Sequence, residues 1–270
     1  MKSILSIFLL LSTTLTAIEL DINMGAGAYY TGSSGKLVYQ KDFWKNSSGD
    51  MEHANKPTSY SWIEIDSDQD YWPKARFELS QLKTSGESLI HMQTDNSTVN
   101  EVVKWIEDNL PGTINDRAYE SRLTQTNIEA YLFYELFEDT GFPTFAFGGG
   151  IKKFEFDYAV TIIEGLQFND NGGDSIPLLY FKSRYIFDER PSGSSLAFEG
   201  SVKVYVFGDS TIYDYIIKTD FLMKYNEDTN IGIEVGYKET FFDLKGDDVE
   251  SVGGDMKTTG PYIGLIAHFK

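Results

Sequence analysis

The chain of 270 residues contains no cysteine. Disulfide frameworks, cysteine-ligated zinc, iron–sulfur clusters and thiol nucleophiles are therefore excluded. Basic residues are the minority, 23 Lys+Arg against 41 Asp+Glu, for a formal charge of −18. Binding nucleic acid needs a basic face that neutralises phosphates, so no nucleic-acid partner is expected. Long apolar runs are missing as well. The stretch from Ile4 to Leu11 is too short to cross a bilayer as a helix, which takes roughly 20 residues. Proline is scarce (7), but glycine (24), phenylalanine (19) and tyrosine (17) are abundant. A chain this rich in aromatics is not disordered, despite its acidity.

Met1 and Lys2 precede the apolar run, and Ser12, Thr13, Thr14, Leu15, Thr16 and Ala17 follow it. A basic start, a short apolar core and a small-residue exit are the layout of a secretory signal peptide. Cleavage after Ala17 is expected, leaving 18–270 as the mature domain.

From there on, period-two alternation dominates, the mark of strands with one apolar face. Tyr213, Tyr215, Ile217, Thr219, Phe221, Met223 and Tyr225 stand opposite Asp214, Lys218, Asp220 and Lys224. Ile231, Ile233, Val235 and Tyr237 face away from Gly232, Glu234, Gly236 and Lys238. Similar patterns cover 19–32, 58–66, 74–80, 127–135, 144–152, 176–187, 196–207 and 260–269, giving about ten strands. Most reach the roughly 9–11 residues that a tilted strand needs to span a membrane.

A soluble lipocalin-like barrel would turn the apolar set inward; an outer-membrane barrel turns it to lipid and the polar set to the lumen. Three features favour the membrane. Formal charges (Lys203, Lys218, Asp220, Glu234) sit at strand centres, and Tyr30, Tyr134, Tyr213, Tyr225 and Tyr237 mark strand ends on the apolar face like an aromatic girdle. Connections alternate long (33–57, 84–122, 158–175, 243–256) and short, with 207–211 as the exception. The expected fold is an all-β, transmembrane, antiparallel up-and-down barrel with one short helix in a long external loop. That helix is 97–112, capped by Thr98 with Glu101, striped by Val99, Val102, Val103, Ile106 and Leu110, and stopped by Pro111-Gly112.

Within 144–158 the alternation slips. Phe145, Phe147 and Ile151 give way to Phe154, Phe156 and Tyr158 across Gly148-Gly149-Gly150 and Lys152-Lys153. Either a bulge restores the apolar face there, or membrane contact ends before Lys153.

The last residues, Gly260-Pro261-Tyr262-Ile263-Gly264-Leu265-Ile266-Ala267-His268-Phe269-Lys270, resemble the closing strand of bacterial outer-membrane proteins. There an aromatic near the carboxyl end is read by the barrel-assembly machinery, although the usual final Phe is here followed by Lys270. With the upstream Gly253-Gly254 pair, Pro177-Leu178-Leu179-Tyr180 and Gly236-Tyr237, about half of the chain resembles a Gram-negative outer-membrane β-barrel family named for a Gly-Gly pair in its last loop. The resemblance implies location and fold; that family has no established biochemical activity.

Candidate chemistry is sparse. Asp66, Asp68 and Asp70 show the spacing that opens an EF-hand, but Tyr71 and Phe77 occupy the required Gly and Glu positions. Asp243, Asp247, Asp248, Glu250 and Asp255 form an acidic loop that could attract divalent cations or simply be solvated. His53 and His91 fall in expected loops and His268 in the last strand, with no G-x-S-x-G, H-E-x-x-H or P-loop. No catalytic, cofactor or metal residue is assigned, and no enzyme is expected. The lumen should hold Lys74, Arg76, Lys152, Lys203, Lys218, Lys224 and Lys238 against Glu78, Glu129, Glu135, Glu199, Asp214, Asp220 and Glu234. Balanced charge in a narrow barrel points to pairing across it, and an arginine placed inside at Ser201 should cost less than one on the lipid face. The expected protein is a monomeric outer-membrane barrel of structural or small-solute and hydrophobe-handling role, with outer-membrane lipid, lipopolysaccharide and the assembly machinery as partners. A surface-binding barrel acting through acidic loops and a soluble periplasmic ligand binder are the alternatives.

Overall fold

The computed structural model describes residues 20–41, 44–67, 72–92, 104, 117–137, 142–163, 166–189, 194–244 and 252–270. Ten strands run in chain order: β1 (Leu20–Lys41), β2 (Trp44–Ser67), β3 (Lys74–Met92), β4 (Arg117–Leu136), β5 (Thr144–Ile163), β6 (Leu166–Glu189), β7 (Ser195–Phe207), β8 (Ser210–Lys224), β9 (Thr229–Leu244) and β10 (Val252–Phe269). Each pairs antiparallel with its sequence neighbours, and β1 closes on β10. The sheet closes on itself, although among the described residues β6 from Leu166 to Leu178 pairs with β5 alone.

Register fixes the barrel's shape. Stepping from Ile22 through the paired residues Ile65, Ala75, Leu132, Gly149, Leu179, Val204, Tyr213, Phe241 and Lys257 returns to β1 at Ser34, a stagger of 34 − 22 = 12 residues. Closure with such a stagger tilts the strands by about 40° from the barrel axis.

The outward set is apolar over a belt that includes Phe77, Ile128, Leu132, Phe147, Leu179, Phe198, Ile217, Ile233 and Leu265, all well exposed. Charged residues alternate with them and point inward. A soluble barrel would bury the apolar set, so this geometry excludes the lipocalin-like alternative and is that of a membrane-spanning barrel. Tyr30, Tyr134, Tyr225 and Tyr237 lie on the outer face as expected, and Tyr185 packs edge-on against Phe187 at 4.9 Å near the end that carries the termini.

The expected long loops 33–57 and 158–175 are instead paired strand. β1 and β2 stay in ladder contact up to Lys41 and Trp44, and β5 and β6 up to Ile163 and Leu166. Polar residues mask this in the sequence: above the lipid belt neither face of the hairpin needs an apolar stripe. Gly35 allows one such ladder to continue at φ 118°, where a Cβ would lie 2.2 Å from the Asp255 carbonyl oxygen. The short 207–211 link is a two-residue turn, with Gly208 at φ 56° supplying the left-handed residue that a tight hairpin requires. The expected helix 97–112 lies outside the described residues apart from Lys104, which is helical, as do the signal segment 1–17 and residues 245–251 of the acidic loop.

No bulge restores the apolar face of β5. Its ladder with β4 is unbroken from Phe145 to Thr161, so Phe154, Phe156 and Tyr158 turn inward while Lys153 and Glu155 point out. Of the two readings of that slip, the unbroken ladder excludes the bulge. An exposed Lys153–Glu155 pair at 2.7 Å now occupies the outer face.

Candidate functional site

Inward side chains from all ten strands converge on the lumen, and they sort by height. Nearest the termini, Lys74 of β3 bridges Asp66 at 2.7 Å and Glu135 at 2.8 Å, and Glu135 also takes Lys182 of β6. Arg76 holds Glu64 at 3.0 Å and Glu78 at 2.8 Å, with its guanidinium 4.1 Å above the Trp62 ring. Arg184 joins Glu199 at 3.0 Å and Asp220 at 2.6 Å. Lys218 lies between Glu199, Asp220 and Glu234, the last at 3.1 Å.

One level further from the termini, Lys203 of β7 reaches across the lumen to Glu78 and Glu129, both at 2.5 Å. Lys152 sits 3.0 Å from Glu129 and 3.6 Å from Asp214, and Lys238 is 3.0 Å from Asp214. Glu234 accepts hydrogen bonds from the Tyr60 hydroxyl at 2.5 Å and the Trp62 indole at 3.1 Å. The Tyr131 hydroxyl donates to Glu78 at 2.6 Å, and Thr240 to Asp214 at 2.6 Å. Buried carboxylates are costly unless they are both paired and hydrogen-bonded, and these are both.

Rings fill the space between the charges. Tyr29, Tyr60 and Tyr262 form a triangle with centroids 4.5–5.3 Å apart. They lie flat against backbone that only glycine permits. A Cβ on Gly264 would stand 2.2 Å from the Tyr60 hydroxyl, and one on Gly25 would stand 2.4 Å from the Trp62 indole nitrogen. Above the ion pairs, on the side away from the termini, Leu123, Phe154, Phe156, Ile212, Phe242 and Met256 make a fully buried apolar cap. Phe156 and Phe242 meet edge-on at 5.7 Å.

Eight basic side chains (Lys74, Arg76, Lys152, Lys182, Arg184, Lys203, Lys218, Lys238) thus meet eight carboxylates (Glu64, Glu78, Glu129, Glu135, Glu199, Asp214, Asp220, Glu234), with Asp66 at the rim. Neither sign forms the ring that selects ions in a channel. The expected balance is present, with one correction: Lys224 stands exposed at the rim and belongs to no pair within the packed lumen. Glu64, Lys182 and Arg184 escaped the sequence reading. Lys182 and Arg184 share their face with Ile176, Leu178 and Tyr180, so the inward side of β6 reads as apolar until the strand nears the termini.

The other candidates do not assemble. Asp66 is engaged by Lys74, and Asp68 and Asp70 lie outside the described residues, as do Asp247, Asp248 and Glu250. Among the described residues no three His, Asp or Glu side chains converge on a point that could hold a metal ion. His53 and His91, expected in loops, lie in β2 and β3, paired with Gly86 and Ser48. His268 sits at the opposite end of the barrel, 3.7 Å from Asp21.

Among the described residues the lumen holds two small cavities, about 20 Å³ beside Trp62 and Glu234 and about 30 Å³ beside Thr31 and Gln125. No family model matches the chain, and no curated protein matches its sequence. Solved structures do resemble it. The outer membrane protease OmpT from Escherichia coli aligns over 92% of this chain and 96% of its own, with TM-score 0.53 and 9% identity. The translocator domain of the autotransporter NalP from Neisseria meningitidis aligns over 96% and 91%, with TM-score 0.40 and 9% identity. OprG from Pseudomonas aeruginosa aligns over 93% and 95%, with TM-score 0.31 and 10% identity. The likeness to OmpT identifies the architecture and carries no activity at that identity. The chain has the fold of an outer-membrane β-barrel.

Proposed function

We propose that this protein is a closed, non-conducting barrel of the Gram-negative outer membrane, a scaffold that holds tall strand hairpins beyond the lipid. The carrying observation is the lumen, where sixteen paired charges and a cap of rings leave cavities of about 20 and 30 Å³. A hydrated ion or a solute has no room to pass there. Small-solute handling through the lumen is correspondingly disfavoured. Purified protein in planar bilayers should give no steady conductance; a stable, ion-selective current would refute the reading.

The rest of the assignment follows from it. Residues 1–17 act as an export signal removed after Ala17, and the Phe269-bearing strand serves the barrel-assembly machinery. The mature chain is monomeric, in contact with outer-membrane lipid and lipopolysaccharide. The Gly253-Gly254 pair and the closing strand support membership of the Gly-Gly barrel family. The termini and the short turns at their end of the barrel face the periplasm, because bacterial barrels place short turns there, while the 207–211 turn lies at the opposite end. A tag at 227–229 should therefore be hidden on intact cells and one at 90–95 accessible. A non-enzymatic role is part of this reading, checked by incubating purified protein with peptide libraries and finding no cleavage.

A second reading has its own observation. β2 and β6 each have 24 residues, about twice what spanning requires. Such hairpins project a large surface, which supports a surface-binding role. Shortening the β1–β2 and β5–β6 hairpins should then abolish adhesion of cells to a surface or matrix while the barrel still assembles.

A further inference from the structure

The lumen is filled unevenly. Its upper part holds the apolar cap of Leu123, Phe154, Phe156, Ile212, Phe242 and Met256, and beside that cap hydroxyls and amides from β1, β2, β4, β9 and β10 line the lumen. The cavity of about 30 Å³ lies against that polar wall, bounded by Thr31, Thr58, Gln125, Asn127, Thr240 and Thr258. Thr31 is 5% exposed and Gln125 2%, yet the Thr31 Oγ1 and Gln125 Oε1 atoms have no hydrogen-bond partner in the protein. The amide's other end is engaged: Gln125 Nε2 donates to Asn127 Oδ1 at 2.8 Å, and Asn127 Nδ2 to Ser80 Oγ at 3.3 Å. With the amides so oriented, the oxygen of Gln125 is the atom left over. On the side away from the termini the Ser33 and Thr258 hydroxyls approach to 3.3 Å.

A buried acceptor without a donor costs roughly the full desolvation of the group. Two of them on one cavity wall need a donor of matching size. A water molecule requires roughly 10–15 Å³ of such space and 2–4 polar partners, and both conditions are met. Nothing larger fits. A free anion is disfavoured because Lys238, the cation lining the cavity, already faces Asp214 at 3.0 Å. A bare monovalent cation would sit beside that same ammonium.

We propose that Thr31 and Gln125 form an internal water site, holding one or two molecules that donate to Gln125 Oε1 and bond the Thr31 hydroxyl. The site has a lower companion. The cavity of about 20 Å³ shares Tyr29, Ser80 and Lys238 with it and reaches Arg76, Glu78 and Glu234. The two make a hydrated seam that links the ionic network to the polar wall. The seam is independent of the non-conducting reading, since both a closed and a leaky barrel can hold it.

The test uses the full protein refolded in lipid vesicles, with crystals of the same protein. Thr31→Val is isosteric and removes only the hydroxyl, whereas Gln125→Leu would also break the bond to Asn127 Oδ1 and is unsuitable. If water is bound, Thr31→Val lowers the folding equilibrium constant roughly five- to tenfold, the scale of one lost hydrogen bond. Thr31→Ser, which keeps the hydroxyl, should fold like the wild type. High-resolution diffraction should show density bridging Thr31 and Gln125 in the wild-type and Thr31→Ser proteins. A dry cavity predicts the opposite sign, because deleting an unsatisfied buried group stabilises, and that result overturns the proposal. Anomalous signal at the site after a bromide soak would overturn it in favour of an anion.

Discussion

Around Lys152, Asp220 and Lys238 the lumen is packed with ion pairs, whereas further from the termini, at Phe154, Phe242 and Met256, it is packed with apolar side chains. The outer wall shows the reverse order. It is apolar at Phe147, Ile151 and Ile217, and charged at Lys153 and Glu155. β5 passes through both regimes without losing register. Where lipid contacts the wall, the alternating strand must send its polar residues inward, and those residues need partners in a space without bulk water. Where water contacts the wall, the polar residues turn outward and the interior fills as it would in a soluble barrel.

Breaking either filling should cost the most. Glu129→Ala leaves both Lys152 and Lys203 short of a partner and should destabilise by about 3–5 kcal/mol, the scale for one half of a buried ion pair. Phe154→Ala, in the apolar cap, should cost a similar amount, about 3–5 kcal/mol, through the cavity it opens. Urea titration of tryptophan fluorescence in vesicles measures both. A loss under 1 kcal/mol at either site would mean that the corresponding half of the lumen is soft.

Next comes the wall. Ile217→Arg, on the exposed apolar belt, should cost about 2–4 kcal/mol and weaken the folded, faster-migrating band of unboiled gels. The cheaper inward substitution expected from the sequence does not survive the structure. Ser201 lines the cavity of about 20 Å³ beside Lys218 and Arg76, so Ser201→Arg adds bulk and like charge to a filled space. It should be as disruptive as Ile217→Arg, and only a mild effect would show that the lumen can open.

The smallest effect sharpens the contrast. Lys153→Ala removes a charge from an exposed pair, with side chains 53% and 55% accessible, and should change stability by less than about 0.5 kcal/mol. The Glu129→Ala and Lys153→Ala pair thus compares breaking a carboxylate–lysine contact inside the barrel and outside it.

Strand number, the lipid-facing set and the inward charges of β7, β8 and β9 were legible because period two exposes a strand's two faces directly in the residue order. The hairpins beyond the lipid were not, since residues such as 44–57 carry no apolar alternation in their sequence. The reading of Phe154, Phe156 and Tyr158 was ambiguous for a related reason. Alternation shows which residues share a face, but which face meets lipid at a given height depends on where the membrane ends.

The order of residues therefore determined the class of fold, the apolar wall and the balance of charge sent inside. It could not determine who meets whom. Lys203 reaches Glu78 from 125 positions away in sequence, and Tyr60 lies on the backbone of Gly264. Those encounters depend on closure of ten strands with a stagger of 12 residues, which sets the height at which each inward side chain enters the lumen. A ladder of local alternations fixes two faces for every strand, and only the closed sheet converts those faces into distances.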